Sequence, residues 1–137
     1  MTAPRPSGAV AGDCSSLVDD APDSVAGAKV REVSPSDGYA GAWGDPAIVL
    51  RCGVPRPAAL TRTSQCFVVN GVGWLVTQDG AEVDPTAVAG GTLVFTTIGR
   101  SAYVEVTVPD RYSPAADALV DLTPTIKAHV PERQSCR

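Results

Sequence analysis

Four groups of residues in this chain have types and spacings that could do chemistry. The first is Cys14, Cys52, Cys66 and Cys136, an even set spread from one end of the 137 residues to the other. That is the distribution of a disulfide framework. No pair has Cys-x-x-Cys spacing. The single histidine, His129, cannot complete the usual zinc sets unless all four thiolates converge, so no metal is expected. Four cysteines allow three connectivities. Cys14 with Cys52 and Cys66 with Cys136 is preferred, because a Cys52–Cys66 bridge is expected to lie across neighbouring antiparallel strands, a strained arrangement. Four buried free thiols in a cytosolic domain is the competing reading.

The second group is built around Arg51, a cation closing the apolar run 47–50, with Asp45 upstream and Arg100 far along the chain. Two guanidiniums could form a fork for a carboxylate or phosphate ligand. The structural alternative, which is favoured, pairs Arg51 with Asp45 or Glu105 at a sheet edge. Trp43 and Trp74, with Tyr39 and Tyr103, form the third group and could line a groove for a sugar or peptide. In a chain with 2 Trp, 3 Tyr and 2 Phe, the simpler reading is that both tryptophans anchor the core. Last come His129 and the acids Asp79, Glu82 and Asp84. The histidine shows no partner, there is no Gly-x-Ser-x-Gly elbow for a Ser-His-Asp nucleophile, and the acids lack the spacing of a calcium loop. No catalytic set and no cofactor site emerges, so the balance is against an enzyme.

These residues must be held by one small domain. Its 44% hydrophobic and 19% charged residues are the proportions of a globular unit that buries about two thirds of its surface. With 11 Lys and Arg against 15 Asp and Glu, the net charge of −4 disfavours nucleic acid as a partner. The apolar runs are too short for a transmembrane helix. Residues 1–13, rich in Pro, Gly and Ala, read as a disordered leader or tether before a domain over 14–137. They are not a signal peptide, so a native export or anchoring segment is expected to have preceded them.

Within the domain, 15–20 suits a short helix, 25–33 an edge strand, 34–44 a loop and 47–52 a buried strand closed by Gly53 and Pro55. Asn70-Gly71 between the apolar runs 66–69 and 72–77 is a strong hairpin signal. Residues 78–91 read as an acidic, glycine-rich loop. A second hairpin follows over 92–98 and 102–108, where Val104, Val106 and Val108 alternate with Tyr103, Glu105 and Thr107. Ser113-Pro114 starts a C-terminal helix carrying Ala116, Leu119, Val120, Ile126 and Val130, with Pro124 either kinking it or restarting a second helix. The expected class is α+β: a small antiparallel sheet of two hairpins plus a buried strand, covered on one face by the C-terminal helix and a short N-terminal helix.

Three segments, AWGDPAIVLRCGVPRP (42–57), VNGVGW (69–74) and FTTIGRSAYVEVTVP (95–109), resemble an actinobacterial family of exported or membrane-anchored, lipoprotein-like proteins of unknown function. The likeness spans residues 14–131 and implies an extracytoplasmic domain on a membrane tether. The leading functional expectation is a non-catalytic envelope domain that binds an envelope component or a partner protein, touching the membrane only through its missing N-terminal anchor. Its rival is a small-ligand receptor or enzyme using Arg51, Arg100, Trp43, Trp74, Asp45 and Tyr103. A structural role in an assembly would instead expose an edge such as 25–33 to another chain.

Overall fold

The structure, a computed structural model, describes residues 6, 8–32, 38–88, 90–112 and 114–134. Among these residues the chain runs through α1 (Gly8–Asp19), β1 (Ser24–Val25), β2 (Ala28–Arg31), β3 (Ala40–Trp43), β4 (Ile48–Cys52), β5 (Phe67–Val69), β6 (Val72–Gln78), β7 (Ala81–Glu82), β8 (Leu93–Thr97), β9 (Val104–Val108), a 3₁₀ turn (Asp110–Tyr112) and α2 (Ala116–His129). The strands form one sheet in the order β1-β2-β3-β4-β9-β8-β6-β5, with β7 also on β6. Every pairing is antiparallel. The α+β architecture expected from the sequence is the one observed, with more strands than two hairpins and a buried strand.

Three hairpins turn on two residues at positive φ: Ala26-Gly27, Asn70-Gly71 and Asp79-Gly80. Two consecutive left-handed residues twist the chain in the sense that antiparallel strands require. Ala26, at φ 51°, is the costly member of the set, because it lacks the short polar side chain with which Asn70 and Asp79 tolerate this conformation. Its N–H donates to Asp121 Oδ2 of α2 at 2.8 Å, which holds the turn against the helix. The expected strand over 25–33 is therefore a hairpin up to Arg31, with 33 outside the described residues.

The loop expected over 34–44 gives way to β3, paired with β4 from Ala40↔Arg51 to Trp43↔Ile48. Small residues with no strand signature of their own form it because the Trp43 ring lies over Gly41, where a Cβ would stand 3.2 Å from the indole. Residues 34–37 of that expected loop lie outside the described ones. The acidic loop after Gln78 holds the short strand β7.

On one side of the sheet Ile48, Leu50, Cys52, Val104, Val106, Val108, Val72, Trp74 and Phe95 join Cys14 and Leu17 of α1 and Ala118, Leu119, Leu122 and Ile126 of α2 in a single core. The i, i+3 and i, i+4 spacing of these helical residues puts them on one stripe facing the strands. Helix α1 begins at Gly8, seven residues before the start expected at residue 15, so the leader boundary placed at residue 13 falls inside a helix. The run Ala9-Val10-Ala11 costs little as helix, and Cys14 fastens it to the sheet.

Helix α2 is one helix through Pro124 and not two. Proline removes the bond to the Val120 carbonyl, but Val120 is 42% exposed, so water can satisfy that oxygen. His129, for which the sequence showed no partner, bonds Asp20 at 2.9 Å and ties the end of α2 to the end of α1. No helix among the described residues is long and apolar enough to cross a membrane.

Candidate functional site

The segment between β4 and β5 contributes one wall of an open, polar cavity of about 1140 Å³. Arg56, Arg62, Arg100 and Arg133 line it, together with Tyr103 and the hydroxyl-bearing turn 61–64, and among the described residues no aspartate or glutamate does. Four of the chain's nine arginines thus gather in one hollow of a molecule whose net charge is −4. Such a concentration focuses positive potential where a ligand can enter.

Each wall is built locally. Arg56 donates from Nη1 to the Tyr103 hydroxyl at 3.4 Å and from Nη2 to the Leu60 carbonyl at 3.1 Å, so its own short loop orients the guanidinium. Thr61 N–H donates to Ser64 Oγ at 2.9 Å, and Ser64 N–H returns a bond to the Thr61 carbonyl at 3.2 Å, closing a tight turn. The segment 131–134 leaves α2 and docks on the β8–β9 connection. Arg100 pairs with Glu132 in a β-bridge, Ser101 N–H donates to the Pro131 carbonyl, and the N–H groups of Arg133 and Gln134 donate to the Gly99 carbonyl at 2.7 and 2.9 Å. The Arg62 and Arg133 guanidiniums make no hydrogen bond or ion pair among the described residues, which leaves their donors to solvent or ligand.

Of the residues singled out in the sequence, Arg100 and Tyr103 line this cavity. The Arg100 side chain is partly committed elsewhere, donating to the Val130 carbonyl at 2.9 Å and the Gly71 carbonyl at 3.3 Å. A cation there suits the carbonyl end of a helix. Arg51 pairs through Nε with Glu105 Oε1 at 2.9 Å, directly across the β4–β9 register, which is the structural alternative. Asp45, with a side chain 93% exposed, sits 3.9 Å from Arg31 in the β3–β4 turn that contains the cis Asp45–Pro46 peptide.

Trp43 and Trp74 are inside the core at 1% and 0% exposure, and Tyr39 packs against it. These rings do not form an open groove. Arg56, Arg62 and Arg133 were missed because they sit in two proline-bearing connections separated by some seventy residues, and nothing local announces that the connections meet.

A smaller apolar cavity of about 350 Å³ lies among Phe67, Leu93, Phe95, Val108 and the start of α2, with Asp110 as the one ionisable group among its described lining residues. Nearby, Asp84 Oδ1 accepts from Thr86 Oγ1 at 2.7 Å and Thr86 N–H at 2.9 Å. First the hydroxyl and then the amide stabilise the charged form, and the carboxyl falls below its ordinary 3.8. A depressed acid adds stability above the ordinary value and loses it as pH falls through the lowered one. A carboxyl NMR titration is expected to show an Asp84 midpoint below 3.8 that rises in Thr86→Val. An unchanged midpoint would show that the hydroxyl does not hold the charge.

No group of three or more His, Cys, Asp or Glu among the described residues could hold a metal ion. Cys14 and Cys52 form a disulfide, and Cys66 is disulfide-bonded as well. Cys136, the expected partner of Cys66, lies outside the described residues. The alternative Cys52–Cys66 bridge, rejected above on the supposition that the two strands are neighbours, is excluded because Cys52 is bonded to Cys14. The strands are not neighbours either, since β9, β8 and β6 lie between β4 and β5. The Cys14–Cys52 bridge is consistent with an extracytoplasmic location. Neither the curated proteins nor the solved structures contain a match to this chain. The family model described as "Protein of unknown function (DUF3515)" matches residues 1–135, and the chain belongs to that family.

Proposed function

We propose that this is a non-catalytic extracytoplasmic binding domain, held at the membrane in its native form, that takes an anionic component of the cell envelope in the arginine cavity. The observation that carries this reading is four arginines lining one hollow, with no aspartate or glutamate among its described lining residues. A guanidinium keeps its charge at any physiological pH and offers a planar pair of donors to an oxyanion. The disulfide supports the compartment. The resemblance to exported, lipoprotein-like actinobacterial proteins supports the anchor.

The test is retention on an immobilised sulfated polysaccharide in low salt, where exposed charges are least screened. The wild type is expected to elute at clearly higher salt than Arg62→Ala/Arg133→Ala. The comparison variant Lys29→Ala/Arg111→Ala removes two positive charges from exposed positions in β2 and the 3₁₀ turn, and is expected to elute close to the wild type. Equal shifts for both double variants would reduce the cavity to general surface charge. Intact mass of the protein recovered from the native membrane fraction tests the anchor.

A further inference from the structure

We infer that the arginine cavity takes a ligand with more than one phosphoryl group, a pyrophosphate or a phosphodiester-linked chain, gripped between the 56–64 loop and the 131–134 strap. This rests on the anion-binding reading above and narrows it to one chemical class. The donors decide the class. A carboxylate is flat and is satisfied by one guanidinium fork, whereas a phosphoryl group presents oxygens in several directions and needs donors on more than one side. Here the donors come from two separate segments lining the cavity: Arg56, Arg62 and Thr63 on the loop, and Arg133 and Gln134 on the strap.

The cations are all arginine. The chain's two lysines, Lys29 and Lys127, lie elsewhere, so the cavity is supplied with forks and not with point charges. Its volume of about 1140 Å³ is well beyond one phosphate ion, and four arginines with no acid among the described lining residues call for a multivalent anion.

The strap is part of the site and depends on Gly99. This glycine sits at φ 78°, and a Cβ there would collide with the Gln134 carbonyl oxygen. Gly99→Ala therefore pushes away the segment carrying Arg133 while leaving all four guanidiniums in the chain.

The experiment titrates the oxidised, full chain by calorimetry with tripolyphosphate and, separately, with citrate as a polycarboxylate. Tripolyphosphate is expected to bind about tenfold or more tighter than citrate, the factor associated with one additional charge-assisted hydrogen bond. Arg62→Ala, Arg133→Ala and Gly99→Ala are each expected to weaken it by about tenfold. Arg62→Lys, which keeps charge and loses the fork, is expected to recover only part of that loss. Circular dichroism melts confirm that each variant is folded before its affinity is read.

If citrate binds as well as tripolyphosphate, and Arg62→Ala and Arg133→Ala weaken both, the phosphoryl class is wrong while the anion reading stands. Absence of binding by either probe overturns both readings. A folded Gly99→Ala with wild-type affinity removes the strap from the site and overturns the two-walled grip. Flotation with vesicles containing cardiolipin, against vesicles of phosphatidylcholine alone, then separates the two sources of this chemistry. Co-flotation that tripolyphosphate reverses assigns a lipid headgroup, and tripolyphosphate binding without flotation assigns a water-soluble phosphodiester or pyrophosphate.

Discussion

Replacing Cys14 and Cys52 together by alanine is expected to lower the unfolding free energy by about 4 kcal/mol. The bridge joins residues 38 apart in sequence, and closing a loop of that length restricts the unfolded chain by about this amount. For a chain of this length that is a fall of roughly 14 °C in Tm, taking about 2 cal/mol/K of unfolding entropy per residue. The native side of the balance points the same way. Helix α1 has only Cys14 and Leu17 fully buried, and a 12-residue helix is marginal without tertiary support. Both sulfurs lie in the core, on residues at 0% exposure.

The experiment compares thermal melts of the two oxidised proteins. Substitution is preferred to reductant, because Cys66 is also disulfide-bonded and would be reduced at the same time. A loss below about 1 kcal/mol would mean that α1 docks well enough without the bridge, through Leu17 and its bonds to Ser101, Thr125 and His129. Far-ultraviolet circular dichroism adds a second readout, since fraying of α1 removes helix signal that α2 retains.

The parts of the fold that were legible in the sequence are those whose signal is local. Asn70-Gly71 announces its hairpin because both residues tolerate left-handed backbone, and β9 announces its faces by strict alternation of valines with Glu105 and Thr107. Asp79-Gly80 carries the same turn chemistry. It was obscured because the strand after it is only Ala81–Glu82, exposed and acidic, with no apolar run to flank the turn. Ala26-Gly27 was harder still, since the contact with Asp121 that steadies Ala26 comes from a residue 95 positions away.

Strand β3 was invisible for a related reason. Ala40, Gly41 and Ala42 have little intrinsic preference for a strand, and only pairing with β4 and the space that Gly41 leaves for the Trp43 ring commit them. The cavity follows the same logic at longer range. Arg100 and Tyr103 could be named from their own hairpin, but Arg56 and Arg62 meet Arg133 only because α2 returns the chain to the β8–β9 connection, where the strap bonds Gly99 and Ser101. A charge cluster made by a chain reversal has no spacing to read.

The two tryptophans illustrate what burial leaves undecided until hydrogen bonds are assigned. Both were candidates for a ligand groove, and both are in the core, yet their indole N–H groups fare differently. Trp43 Nε1 donates to the Pro22 carbonyl at 2.8 Å. Trp74 Nε1 is buried with no acceptor among the described residues, while its ring meets Phe95 edge-on with centroids 6.4 Å apart.

A buried donor left unpaired costs about 1 to 3 kcal/mol, and removing one partner of a made bond imposes a similar cost on the group left behind. Trp43→Phe therefore loses packing volume and the bond to the partly buried Pro22 carbonyl, for an expected loss of about 2 to 3 kcal/mol. Trp74→Phe loses a comparable volume but also removes the unpaired donor. The two effects oppose one another, and the net change is expected to stay within about 1 kcal/mol. Urea denaturation of the two variants beside the wild type measures the difference directly, with equal slopes required for the comparison to hold. Equal losses would show that the Trp74 N–H is satisfied in solution, by an ordered water or by a shift of the ring, and that the two indoles play the same part in the core.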